Sequence, residues 1–137
     1  MAFTERAAAT AEGASTAQHH LEELVAANES IKLVVLTSGD GMEIAAHPKR
    51  QVGLTQRIAA MSSSIQALAS ALAKESGIAS NRSVIIESEA GAVLVLGLAG
   101  PGLSASLSVV ASNAVSLGHI LWAARGCCAA LEKSLRR

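Results

Sequence analysis

Stretches whose apolar residues recur every three or four positions alternate along this chain with stretches where they run together or alternate. Leu21, Leu24 and Val25 make one stripe of a first helix. It is predicted to open at Ser15, where Gln18 completes a capping box, and to stop at Asn28. IKLVVLT at 31–37 is β-branched and mainly apolar, which predicts a strand buried on both faces. SGDG at 38–41 is a turn, and its Asp-Gly pair signals a two-residue hairpin that needs positive φ. MEIAAH at 42–47 is the returning strand, ended by Pro48.

A long helix is predicted over 54–76, with Gly77 as its stop. RSVIIES at 82–88, AVLVLGL at 92–98 and LSASLSVV at 103–110 read as three further strands separated by glycine-containing turns. Ser116 can cap a last helix, whose stripe is Leu117, Leu121, Ala124, Cys128, Leu131 and Leu135. Residues 1–14 read as a mobile tail, and 15–137 as one domain. The order α-β-β-α-β-β-β-α predicts an α+β fold: a mainly antiparallel sheet with helices packed on it.

The long helix carries the strongest functional signal. Its segment RIAAMSSSIQALASALAK has a charge at each end, Arg57 and Lys74, and none between. A helix on the surface of a soluble domain normally shows a charged face to water. Leu54, Ile58, Met61, Ile65, Leu68 and Leu72 form one apolar stripe, expected to lie on the domain's own sheet. Each such side chain contributes about 1.5–3 kcal/mol on burial, before entropy. The other positions include Ala59, Ala60, Ser63, Ala67, Ser70 and Ala71, small residues that let another backbone come near. The same helix of a second copy is the simplest partner, because closed two-fold dimers are the commonest oligomers.

Composition narrows the function classes. The 137 residues suffice for one core, and eleven basic residues balance eleven acidic ones. That balance removes the basic footprint of a nucleic-acid binder. The sole aromatic residues, Phe3 and Trp122, provide no platform for stacking bases. Residues 90–124 carry no charge, yet GLAGPG at 97–102 and the serine alternation after it break the run. Membrane insertion is therefore not expected. The first fifteen residues contain Glu5 and Glu12 and lack a long apolar run, so a cytoplasmic location is expected.

Candidate chemistry has plain alternatives. GDG and GLAGPG each lead into a strand, whereas a phosphate loop opens a helix. Ser104, Ser106 and Ser108 share a strand face without a nucleophile motif; their small size instead lets a helix approach a central strand. Cys127 and Cys128 are adjacent, about 100° apart on a helix, and so form no CxxC pair. They read as small buried apolar residues. His19, His20, His47 and His119 make no HxxxH pair. Glu43 and Glu87 lie on strands, with nothing to bring them together. No catalytic, metal or cofactor-binding residue is assigned, and an enzyme is not expected.

The element order, the strand-turn VVLTSGDGMEIAA, the RIAAM…AL helix and the closing SLGHILWAARGCCAALEK together resemble the Roadblock family. That family includes dynein light chains and bacterial Mgl-type gliding regulators. The resemblance covers about residues 17–135. It implies a profilin-like sandwich, a five-stranded antiparallel sheet with the first and last helices on one face and the long helix on the other. It also implies a homodimer with long helices side by side and third strands paired. Carried over, the interface holds Ala59, Ala60, Ser63, Ala67, Ser70 and Ala71 of the helix and Ser83, Ile85 and Glu87 of the strand. The implied function is that of a non-catalytic regulator or scaffold. It would bind a small Ras-like GTPase and modulate its nucleotide cycle. A structural adaptor subunit without a GTPase is the alternative. Arg50 and Arg57, before and at the start of the long helix, are the candidates for projecting to that partner. An ordinary solvated role is the simpler reading of both arginines.

Overall fold

The computed structural model describes residues 11–49, 53–79, 82–100, 104–112 and 116–135. The elements run α1 (Ala11–Ala27), β1 (Ile31–Ser38), β2 (Glu43–His47), α2 (Leu54–Glu75), β3 (Ser83–Glu87), β4 (Gly91–Gly97), β5 (Ala105–Ser112) and α3 (Leu117–Leu135). The strands form one antiparallel sheet of order β2-β1-β5-β4-β3, so β5 is central and β2 and β3 are the edges. This is the α+β sandwich that the element order predicts.

Two apolar layers flank the sheet. Leu21 and Leu24 of α1 and Ile120, Ala124 and Leu131 of α3 close over Val34, Leu36, Leu94, Leu107 and Val109. On the other face Ala59 of α2 packs with Leu33, Val35 and Ala46. β1 therefore sends side chains into both layers, which explains its nearly unbroken burial. A register shift between Ile31 and Leu33 lets these two residues, both odd-numbered, serve opposite layers.

Local signals set most boundaries. Ser116 caps α3, its hydroxyl accepting the His119 N–H at 3.2 Å. At the end of α2 the Ile78 N–H reaches the Ala73 carbonyl at 3.1 Å, across Gly77 at φ 74°. The β1–β2 turn is longer than the two residues expected. Its left-handed position is Gly41, and the Ser38 N–H donates to the Met42 carbonyl at 2.8 Å. The Ser38 hydroxyl also meets the Asp40 carboxylate, which stabilises the wider turn.

Two elements differ from the expected bounds by more than one residue. Helix α1 begins at Ala11, not at Ser15, so residues 11–14 are helical and Ser15 is no cap. Alanine-rich sequence favours this extension, and Thr16 bonds back to the Glu12 carbonyl at 3.0 Å. The part of the expected tail before Ala11 lies outside the described residues. β5 runs two residues further along than expected. It pairs with β1 from Ser38↔Ala105 to Ile31↔Ala111, and the Ser112 N–H donates to the Ser30 carbonyl at 2.8 Å.

Candidate interaction surface

Helix α2 presents three faces, and the sheet takes a different one from that expected. Thr55, Ala59, Ser62 and Ala73 are buried, with Gln66 and Ala69 half-buried between them. These six positions repeat the four-three spacing of the large apolar stripe, displaced by one residue, which is about 100° around the helix. Ala59 has no exposed surface. The helix seats on the central strand through the Ser108 hydroxyl, which donates to the Ser62 hydroxyl at 2.6 Å. Ser106 and Ser108 are both buried. A Cβ on Gly97 of β4 would lie 2.7 Å from the Gln66 amide nitrogen. Serine and glycine on the sheet therefore meet alanine and serine on the helix, and leucines at this contact would hold the two layers apart.

The large stripe is correspondingly turned aside. Leu54, Ile58 and Ile65 are half-buried, whereas Met61, Leu68 and Leu72 are 58%, 73% and 67% exposed. The expectation that all six lie on the domain's own sheet is thus corrected. Ile58 alone of the six joins the sheet-side cluster, beside Val110.

The third face bears the small residues expected to meet a partner. Ala60, Ala67, Ser70 and Ala71 are exposed. Ser63 is half-buried and donates to the Gly39 carbonyl at 3.1 Å, so it docks the β1–β2 turn of its own chain. A Cβ on Gly41 would come within 3.7 Å of the Ala60 Cα, which places this face over the same turn. Ala59 belongs to the core and not to this surface, because Thr55, Ala59 and Ser62 share the sheet side of the helix.

The strand residues expected at the interface are accessible. Ile85 and Glu87 are exposed and Ser83 is half-buried, all on edge strand β3. Their neighbour Ile86 is 44% exposed. It pairs with Val93, which pairs with Val110, so these three residues face the α2 side of the sheet. Ile85 points to the other side. The unfilled apolar surface thus spans the large stripe of α2 and the outer strand of the sheet beneath it. Ile78, just past the helix, is a further exposed apolar residue, at 69%.

The rest of the molecule offers less. Arg57 is exposed, and Arg50 lies outside the described residues. Glu43 and Glu87 stand on opposite sheet edges and do not meet. Glu43 accepts the Thr55 hydroxyl and lies 3.5 Å from the Lys49 ammonium. Burial pushes the Cys127 thiol up to about 11 and the Cys128 thiol up to about 12, so neither is a ready nucleophile. Among the described residues no cluster of three or more histidine, cysteine or acidic side chains could hold a metal. Nor is any described helix long and apolar enough to cross a membrane.

The sequence held a signal for the exposed stripe. Serines on one face of a strand allow close approach of a small-residue helix face, and Thr55, Ala59 and Ser62 supply one at the same spacing as the large stripe.

Known proteins place this geometry. The sequence matches no curated protein. MglB of Myxococcus xanthus superposes with a TM-score of 0.81 at 20% identity, over 93% of this chain and 96% of its own. A Roadblock/LC7 domain from Streptomyces avermitilis gives 0.77 at 19% identity, over 88% of this chain and 98% of its own. Profilin IB of Acanthamoeba castellanii gives 0.60 at 14% identity, over 85% of this chain and 96% of its own, so the sandwich is profilin-like. The family model described as Roadblock/LC7 domain matches residues 17–103, from the first helix through the fourth strand. That span is well over half of the sequence and includes the whole of α2 and β3. The chain belongs to the Roadblock/LC7 family.

Proposed function

We propose that this protein is a homodimeric, non-catalytic regulator or scaffold that binds a small Ras-like GTPase and modulates its nucleotide cycle. The observation that carries the first half is the exposure of Met61, Leu68 and Leu72 beside open-edged β3. Large apolar side chains in a row on a helix are unfavourable in water, and a second copy of the same surface covers them by two-fold symmetry. Ile85, Ile86 and Glu87 extend the contact along the strand, and Ser83 marks its far end. Ala60, Ala67 and Ala71 let backbones approach at its rim.

The second half rests on the family. The resemblance implies that its bacterial members often act with a Ras-like GTPase. A paired surface suits that task, because it gives the partner a platform without supplying chemistry of its own. Light scattering at micromolar concentration tests the dimer, and a folded monomer overturns it. Capture with Ras-like GTPases of the same cell, loaded with GTP or GDP, tests the partner. Binding to none of them in either state overturns the GTPase reading and leaves the adaptor reading.

A further inference from the structure

The two edges of the sheet are not equivalent. An exposed edge strand carries unpaired N–H and C=O groups that can pair with another chain. Among the described residues no strand pairs with the outer edge of β3, and most of its residues are exposed. β2 is also an edge, yet Ala46 in it has no exposed surface. The Ala46 side chain lies under α2, and its main-chain groups are met by Gln18 of α1. The Gln18 side-chain N–H donates to the Ala46 carbonyl at 2.7 Å, and its side-chain oxygen accepts the Ala46 N–H at 3.3 Å. One amide thus occupies both main-chain groups that Ala46 would offer a neighbouring strand. Ala17 and Leu21, both fully buried, anchor the helix on either side of Gln18. The remainder of the β2 edge is short. A register shift interrupts its pairing between Leu36 and Thr37, and Pro48, which has no N–H, follows its last residue.

We propose that Gln18 closes the β2 edge, confining strand pairing between copies to β3 and ending assembly at two. This rests on the β3-paired homodimer. In such a dimer the joined sheet has a β2 strand at each end. Were those ends open, further copies could add through β2, and a closed dimer would become a growing array. The glutamine supplies the missing neighbour from within the chain, so the end strands present no template.

The test uses the full chain with Gln18→Met, which keeps length and loses both hydrogen bonds, and Gln18→Ser, which is too short to reach. Sedimentation of each is compared with the unsubstituted protein at equal concentration, with far-UV circular dichroism as the check on folding. Hydrogen exchange reads the Ala46 amide. The mean sedimenting mass is expected to rise at least about twofold in both variants. The Ala46 amide in the smallest species is expected to lose at least about tenfold protection. Folded variants with unchanged mass overturn the proposal. Collapse of both folds also overturns it, since Gln18 would then serve the core and not the edge. A monomeric unsubstituted protein would refute the β3 dimer separately. The guard would still be judged by whether the variants gain mass over it.

Discussion

Leu68→Ser isolates the contribution of the exposed stripe. Leu68 is 73% exposed in the single chain, so nearly three quarters of its transfer free energy is available to a partner. Full burial of a leucine contributes about 1.5–3 kcal/mol, which leaves about 1–2 kcal/mol for association. A two-fold interface contains the residue twice, so the substitution should weaken the dimer by about 2–4 kcal/mol. At about 1.4 kcal/mol per tenfold, the dissociation constant rises roughly 30- to 700-fold. Sedimentation equilibrium over a concentration series measures that shift directly. The fold should be nearly indifferent, because the side chain makes little intrachain contact, and a surface change costs within about 0.5 kcal/mol. Ala67→Glu, on the flank over the β1–β2 turn, is expected to weaken the dimer less. A shift below about threefold for Leu68→Ser, or a larger effect from Ala67→Glu, would refute the assignment of the interface to the large stripe.

Ala59→Leu should lower stability by about 1–3 kcal/mol through overpacking against Leu33, Val35 and Ala46, measured by urea denaturation. Ser108→Ala strands the buried Ser62 hydroxyl and should cost about 1–3 kcal/mol, while adding Ser62→Ala should restore much of the loss in a double-mutant cycle. Cys127 and Cys128 should resist thiol reagents in the native protein at pH 8 and react on unfolding, because burial holds both thiols protonated. Their folded pKa values, about 11 and about 12, exceed the ordinary 9.0. Their contribution to stability is therefore full below pH 9.0 and is lost as pH rises through that window, which denaturation at pH 8 and pH 10.5 checks.

What the sequence made legible was local. The strand buried on both faces, the Gly77 stop and the Ser116 cap each depend on a few consecutive residues, and each is found in place. Ser106 and Ser108 form the expected seat for a helix, because small size decides that contact, whereas Ser104 precedes β5 and is exposed. Helical periodicity could not say which face of α2 takes the seat. Two stripes share the same spacing, one large and one small, and hydrophobicity favours the large one. The choice is made by Ser106, Ser108 and Gly97, which lie on other strands far along the chain. Gln18 teaches the same lesson. Three residues after Ser15 it looked like part of a capping box, but its amide binds Ala46, 28 residues away. Local sequence could not place it because β2 reaches it only once the sheet is built.

The central claim is that the apolar flank of α2 and the open strand β3 receive a second copy of the chain. Isotope-filtered NMR on a mixture of labelled and unlabelled protein tests it most directly. Intermolecular contacts are expected from the methyl groups of Met61, Leu68, Leu72 and Ile86. Intermolecular contacts confined to other surfaces, such as the exposed Trp122 on α3, or none at all at high concentration, would contradict it.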